Sequence, residues 1–174
     1  MSMIAGVDCG VCTLRAWRES DAEELQAIAN DRSISLYLRD RFCYPYTLDD
    51  ARTWIALSTE NDPSSLAVEV DGHVAGATAL ELYSAERRHT SELGYWLGSE
   101  YWGRGIGTAV CAGMTRHAFE HFRLTRVQAE VYGPNAASAR VLEKCGFQLE
   151  GVRRKAILKG ETYLDATVYA KLRV

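Results

Sequence analysis

Tyr95-Trp-Leu-Gly-Ser-Glu-Tyr-Trp-Gly-Arg-Gly-Ile-Gly-Thr108 sets three glycines, Gly103, Gly105 and Gly107, between two segments of different hydrophobic period. Upstream, Ser91-Glu-Leu-Gly-Tyr-Trp-Leu97 alternates as a half-buried strand does. Downstream, Ile106, Val110, Met114, Ala118 and Phe122 recur at helical spacing, which predicts a helix from the glycines to about Phe122. A strand, a glycine cluster and a helix in that order suit an anion. Glycine lets the backbone turn sharply and approach a ligand, and the first helical turn offers unpaired N–H groups at its positive end. Arg104 lies in the same bend and adds a charged contact for phosphate. No Gly-Lys-Ser/Thr follows, so the bend is not a Walker loop, and its glycine spacing misses the dinucleotide fingerprint.

Working outward, Thr13 to Arg18 reads as a strand, and Ser20-Asp-Ala-Glu23 has capping-box spacing for a helix carrying Leu25 and Ile28. Leu36, Tyr37, Leu38 and Phe42 suggest a short helix before the loop Cys43-Tyr-Pro-Tyr46. Thr47-Leu-Asp-Asp50 opens a helix with Trp54, Ile55 and Leu57, ended by Asn61-Asp-Pro-Ser-Ser65. Leu66, Val68 and Val70 alternate into Asp71-Gly72, a two-residue hairpin signal with Val74 to Leu82 returning. Beyond the long helix, Arg126 to Tyr132 predicts a strand and Asn135 to Lys144 a helix stopped by Gly146. Val152 to Leu158 and Thr162 to Leu172 predict a closing hairpin. This succession describes a single mixed α/β domain over 13–174, preceded by an arm at 1–12.

A chain of 174 residues buries a sufficient core without metal or disulfide staples. Lys and Arg number 20 and Asp and Glu 23, a net charge of −3 that argues against nucleic acid as the partner. No apolar run is long enough for a membrane span, and Met1 to Gly10 lacks the basic start and apolar stretch of an export signal, so a cytoplasmic location is expected. The five cysteines, Cys9, Cys12, Cys43, Cys111 and Cys145, are odd in number and scattered, which fits a reducing compartment. Cys9-Gly-Val-Cys12 has no second ligand pair to complete a zinc site. His117-Ala-Phe-Glu-His121 matches an inverted zincin pattern, but it lies on a helix whose stripe already accounts for its burial, so no metal is expected.

Trp102-Gly-Arg-Gly-Ile-Gly107, followed by Asn135-x-x-Ser138 and Lys144-Cys-Gly-Phe147, resembles the GNAT superfamily of acetyl-CoA-dependent N-acetyltransferases. Glu92-Leu-Gly-Tyr-Trp-Leu97 with Trp102-Gly103 is similar to its RimJ/RimL branch of ribosomal-protein acetyltransferases. The resemblance runs over nearly the whole chain. It implies a mixed, mostly antiparallel sheet of about seven strands flanked by helices, with the fourth and fifth strands splayed to receive pantetheine. Backbone groups at Trp96, Leu97 and Gly98 would then meet the pantetheine and thioester. The amides of Gly103, Arg104, Gly105, Ile106, Gly107 and Thr108 would hold the pyrophosphate. Asn135 and Ser138 would meet the pantetheine arm, and Arg140 the phosphates. Trp102 stands where the superfamily usually has Gln or Arg.

Acetyl transfer to nitrogen needs an uncharged amine, a stabilised oxyanion and a leaving thiolate with a proton nearby. An alkyl amine and a free carboxylate differ by about six pKa units, or ~8 kcal/mol, so a carboxylate base works through burial or through water. The resemblance offers Glu92 as the first candidate base and Glu130 as the second. It offers Ser138 as proton donor, because the tyrosine many members carry is here Leu142. Ile157 occupies the place of a further glutamate found in some relatives. Tyr37, Phe42, Tyr44 and Tyr46 fall where relatives wall the acceptor site. The implied activity is direct transfer from acetyl-CoA to a primary amine, whether a protein N-terminus, a polyamine or a small compound, by an enzyme that can form a homodimer. Leu142 and Ile157 sustain the alternative of a non-enzymatic acyl-CoA sensor.

Overall fold

The computed structural model describes residues 6–59 and 64–174. Among the described residues eight strands form one sheet: β1 (Val7–Asp8), β2 (Thr13–Arg15), β3 (Ser65–Val70), β4 (His73–Leu82), β5 (Thr90–Leu97), β6 (Arg126–Tyr132), β7 (Gln148–Lys159) and β8 (Thr162–Leu172). Their order across the sheet is β1-β2-β3-β4-β5-β6-β8-β7. Every pairing is antiparallel except β5 with β6, so the sheet is mixed as expected. The count exceeds the expected seven because the N-terminal arm folds back, Val7 pairing with Leu14 and Asp8 with Thr13. The Cys9–Cys12 segment is the turn of that hairpin. Cys12 is buried, and Cys9 packs on the helix behind the sheet.

The helices are α1 (Ala22–Ala29), α2 (Arg32–Ser35), α3 (Leu48–Thr59), α4 (Ile106–His121) and α5 (Ala136–Lys144). Two cores lie on opposite faces of the sheet. On one, Ile106, Val110, Met114 and Ala118 of α4 and Leu142 of α5 meet Leu93 and Leu97 of β5 and Val127, Ala129 and Val131 of β6. On the other, Leu25 and Ala29 of α1 and Ala51 and Ile55 of α3 meet Trp17, Ala67, Val74 and Ala77. Alternation along β5 therefore sends Leu93, Tyr95 and Leu97 towards α4, and Glu92, Gly94 and Trp96 towards the α1–α3 side.

Local chemistry explains most boundaries. Asp71 and Gly72 both have positive φ, as the tight β3–β4 turn requires. Asn135 caps α5 by accepting the Ser138 amide at 3.2 Å, and Gly146 has φ +81° just past the helix end. Thr47 and Asp50 exchange capping bonds at the start of α3. The expected Ser20–Glu23 box is displaced: Asp21 instead accepts the Arg18 amide at 2.8 Å, closing a 3₁₀ turn ahead of α1. Asp21 is recruited there because Arg15 holds it in a buried bidentate pair at 2.7 and 2.9 Å. The short helix suggested near Leu36–Phe42 lies earlier, as α2, where Asp31 caps Ser33. The break expected at Asn61–Pro63 lies outside the described residues, as do Met1–Ala5 of the arm.

Candidate active site

β5 and β6 pair only at their beginnings, Thr90 with Arg126 through Glu92 with Gln128. Beyond that point each strand follows its other neighbour. β5 stays on β4 up to Leu97, while β6 stays on β8 up to Tyr132. The sheet therefore opens between Leu93–Leu97 and Ala129–Tyr132. A Cβ at Gly94 would meet nothing within 4 Å, which keeps this opening clear.

At the outer end of β5 the chain turns into α4. Gly103 has φ +72° and Gly105, the N-cap, has φ +78°, a left-handed conformation that costs a side-chain-bearing residue about 1–2 kcal/mol. The first amide of the helix to find a backbone acceptor is that of Ala109, on Gly105 O at 3.2 Å. Among the described residues, the amides of Gly105, Ile106, Gly107 and Thr108 donate to no backbone carbonyl, so they and the helix dipole are available to an anion. Arg104 is exposed and lies over the Tyr101 ring, 5.5 Å from its centroid. Arg140 is exposed on α5. Trp102, the departure from the usual motif, has a structural duty: its indole donates to Leu97 O at 2.9 Å and pins the loop to the end of β5. The Leu97 carbonyl and the Gly98 amide, which donates to Ala75 O at 2.9 Å, thus already have protein partners. Trp96 points to the opposite face, edge-on to Phe42.

A cavity of about 460 Å³ passes through the opening. On the α5 side it reaches Tyr95, Asn135 and Ser138. On the α1–α3 side it reaches Glu92 and Glu130 and an aromatic wall of Phe42, Tyr46, Trp54 and Trp96. Tyr37 also lines it, whereas Tyr44 is exposed elsewhere. The Tyr46 hydroxyl is pushed up to about 12, first by burial and then by the nearby Asp50 carboxylate.

The two candidate bases are held differently. Glu92 stands directly opposite Glu81 in the β4–β5 register, a like-charge pairing that needs a counterion. Arg39 supplies it, reaching Glu81 and Glu92 at 2.7 Å each. The other Glu92 oxygen accepts from Tyr83 at 2.8 Å and from Gln128 at 3.4 Å. Burial and the Glu92 charge push the Tyr83 hydroxyl up to about 12. Glu130 Oε2 accepts from Arg153 at 2.9 Å, and among the described residues its Oε1 has no hydrogen-bond donor. Arg39 and Tyr83 carry no motif of their own, and nothing in the stretches that contain Trp54 and Tyr95 marks those two side chains for the site. The only trace of Arg39 in the sequence is the Glu81–Glu92 pairing, visible once the hairpin register is known.

Of the remaining titratable features, His117 and His121 stack at 4.4 Å between ring centroids. Among the described residues no group of His, Cys, Asp and Glu is arranged to hold a metal ion, and no helix is long and apolar enough to cross a membrane.

Residues 12–148 match the family model described as an acetyltransferase (GNAT) domain. The chain belongs to the GNAT acetyltransferase family. It is 29% identical over 105 residues to the L-amino acid N-acetyltransferase AaaT of Escherichia coli (strain K12), covering 60% of this chain and 65% of that enzyme. It is 30% identical over 83 residues to the ribosomal-protein-serine acetyltransferase of the same organism, covering 48% of this chain and 46% of the relative. Among solved structures, the ribosomal acetyltransferase RimL in complex with coenzyme A superimposes with a TM-score of 0.84 at 20% identity, over 97% of this chain and 98% of that one. The chain thus spans about two thirds and about half the length of these two curated relatives. The GNAT fold and the RimL-like architecture agree with the sequence expectation.

Proposed function

We propose that this GNAT protein transfers an acetyl group from acetyl-CoA directly to a primary amine. One observation carries the reading. The sheet opens between β5 and β6, β5 leads directly into the free amides that begin α4, and a cavity lined from both sides of the opening reaches two carboxylates and an aromatic wall. The residues present fit the cofactor: its diphosphate would take the amides of Gly105 to Thr108, and its thioester would lie beside Tyr95 and Ser138. Acetyl-CoA supplies the activated acyl group. The protein orients it, excludes bulk water and handles the protons.

On the other face the acceptor amine would approach between Glu92 and Glu130. Both Glu92 oxygens are occupied by Arg39 and Tyr83, whereas Glu130 keeps one oxygen open to the cavity. Glu130 is therefore the better proton acceptor, directly or through one water, and Glu92 holds Arg39 and the loop that carries the aromatic wall. This reverses the order in which the sequence ranks the two. Ser138 would meet the leaving sulfur.

The test is coenzyme A release, followed with a thiol reagent, against L-amino acids, short peptides with free amino termini and polyamines. At least one class is expected to turn over. Glu130→Gln is expected to lower kcat by at least about tenfold while the Kd for acetyl-CoA stays within about twofold. Tight coenzyme binding with no turnover on any amine would favour a sensor. Absence of coenzyme binding would remove the reading altogether.

A further inference from the structure

We propose that Tyr95 is a positioning residue for departure of the thiolate, acting through the Ser138 hydroxyl. The proposal rests on the reading above that Ser138 faces the leaving sulfur. Tyr95 projects from β5 onto the α4–α5 side, packs on the main core and reaches Ser138 of α5, hydroxyl to hydroxyl at 3.0 Å.

A serine this close to a helix start ordinarily spends its hydroxyl on the backbone. Ser138 does not need to, because Asn135 already caps the helix. Among the described residues its Oγ has one hydrogen-bond partner, the Tyr95 hydroxyl, and that hydroxyl has none but Ser138. Each hydroxyl holds one proton. If Tyr95 donates to Ser138, the serine proton is free to point into the cavity, where both residues form part of the wall. In the reverse orientation the free proton would be the tyrosine's and the serine would have none for a ligand; the phenol, the more acidic of the two hydroxyls, is the favoured donor.

Burial pushes the Tyr95 hydroxyl well above its ordinary range, so it stays protonated, and passing its proton to a thiolate of pKa about 8.5 is uphill. Tyr95 therefore contributes a fixed hydrogen bond and keeps its proton. As the carbon–sulfur bond of the tetrahedral intermediate breaks, the electron pair goes to sulfur, which accepts the Ser138 O–H while Tyr95 polarises it. The proton that finally neutralises the sulfur is the one the acceptor nitrogen loses on becoming an amide. No further reactant is needed.

The test compares coenzyme A with desulfo-coenzyme A by calorimetry at pH 6.5 and 9.5. The titratable groups around Tyr95 are Cys111 of α4 and Cys145 beyond α5, with Glu92, Glu130 and Arg39 across the sheet. Their effect on the part common to both ligands cancels in the affinity ratio, and their effect on the sulfur is the same in the native protein and in Tyr95→Phe, so the difference between those two proteins isolates the tyrosine. If the bound thiolate is stabilised, the ratio in favour of coenzyme A rises with pH, by about tenfold for each unit by which the bound thiol pKa falls. A rise of about tenfold is expected for the native protein, no more than about threefold in Tyr95→Phe and none in Ser138→Ala. Tyr95→Phe is also expected to lower kcat about tenfold with the KM for acetyl-CoA within about twofold. Replacing Tyr95 by 3-fluorotyrosine, a stronger donor, should raise the ratio further, which neither misfolding nor a purely structural tie would produce. A native-sized rise in Tyr95→Phe that vanishes in Ser138→Ala would leave Ser138 in place and overturn the role of Tyr95. A flat ratio in the native protein would overturn Ser138, and Tyr95 with it.

Discussion

Gly76→Ala tests how the site is assembled more sharply than any change to a charged residue. Gly76 faces Leu97 in the β4–β5 register, beside the β3–β4 irregularity at Val68 and Glu69. A Cβ there would stand 2.1 Å from the Trp96 carbonyl oxygen, 2.9 Å from Leu97 Cα and 3.0 Å from Leu97 Cδ2. The first two are backbone atoms with no rotamer to escape into, so β5 must move by roughly 1 Å to reach ordinary contact. Overpacking of this kind costs about 1–3 kcal/mol. For a domain of this size that is about 2–12 °C in melting temperature. The displaced segment carries Leu97 O, to which Trp102 anchors the glycine bend, so the cradle should shift with it. Thermal unfolding and calorimetric titration with coenzyme A read the two effects, and both losses are expected together. Gly94→Ala is the matched control. Its Cβ meets nothing, so stability should hold within about 0.5 kcal/mol while the methyl narrows the opening and slows transfer. A Gly76→Ala protein with native stability and native coenzyme affinity would refute the claim that this close approach fixes the end of β5.

Three further outcomes follow from the same geometry. Gly105→Val should cost about 1–2 kcal/mol in stability from its left-handed backbone and weaken coenzyme A binding by at least roughly tenfold, measured by titration. Asp21→Ala should cost about 1.5–3 kcal/mol in urea unfolding, because the buried Arg15 guanidinium loses its bidentate partner and keeps only Glu69. Glu24 is held below the usual carboxylate range, first by the Val74 amide at 2.8 Å and then by His73 at 3.0 Å, and Glu24 in turn raises His73. A depressed carboxylate stabilises above its unfolded pKa and ceases to do so as pH falls through the folded value. A raised histidine stabilises below its unfolded pKa and is lost above the folded one. The stability difference between native protein and Glu24→Gln should therefore peak between about pH 5 and 6.5, shrink above that range and disappear towards pH 3. Since Glu24 is 45% exposed, its maximum should stay below about 1 kcal/mol.

What the sequence disclosed, it disclosed where local chemistry and hydrophobic period agree. Arg126–Tyr132 and Thr162–Leu172 have the expected strand bounds, and Asn135 and Gly146 bracket α5 as capping rules require. The stripe Ile106, Val110, Met114 and Ala118 is buried as read. Val7–Asp8 escaped because two residues carry no measurable alternation; only the close packing of Cys9 on Gly113 and the pairing with β2 make them a strand. The Ser20–Glu23 box is displaced because Asp21, held by the buried Arg15, accepts the Arg18 amide and starts the turn two residues earlier. The site was legible where it rests on backbone, at the glycine bend and the Asn135 cap. It was illegible where it rests on side chains distant in sequence, as in the meeting of Arg39 with Glu81 and Glu92 or of Tyr95 with Ser138.

Alternation along β5 gives the site its division of labour. Tyr95 faces α5 and the leaving group, while its neighbours Gly94 and Trp96 face the acceptor wall. A one-residue slip of β5 would exchange these duties, putting Glu92 under α4 and Tyr95 against Phe42. Register is therefore as much a condition of the chemistry as any single side chain, and two features protect it. Arg39 bridges the directly opposed Glu81 and Glu92 at one end of the β4–β5 pair, and Gly76 admits the Trp96 carbonyl at the other. Neither feature touches the proposed thioester position. Changes at either end should accordingly lower coenzyme affinity and turnover together, whereas changes at Glu130 or Ser138, inside a correctly registered strand pair, should separate kcat from binding.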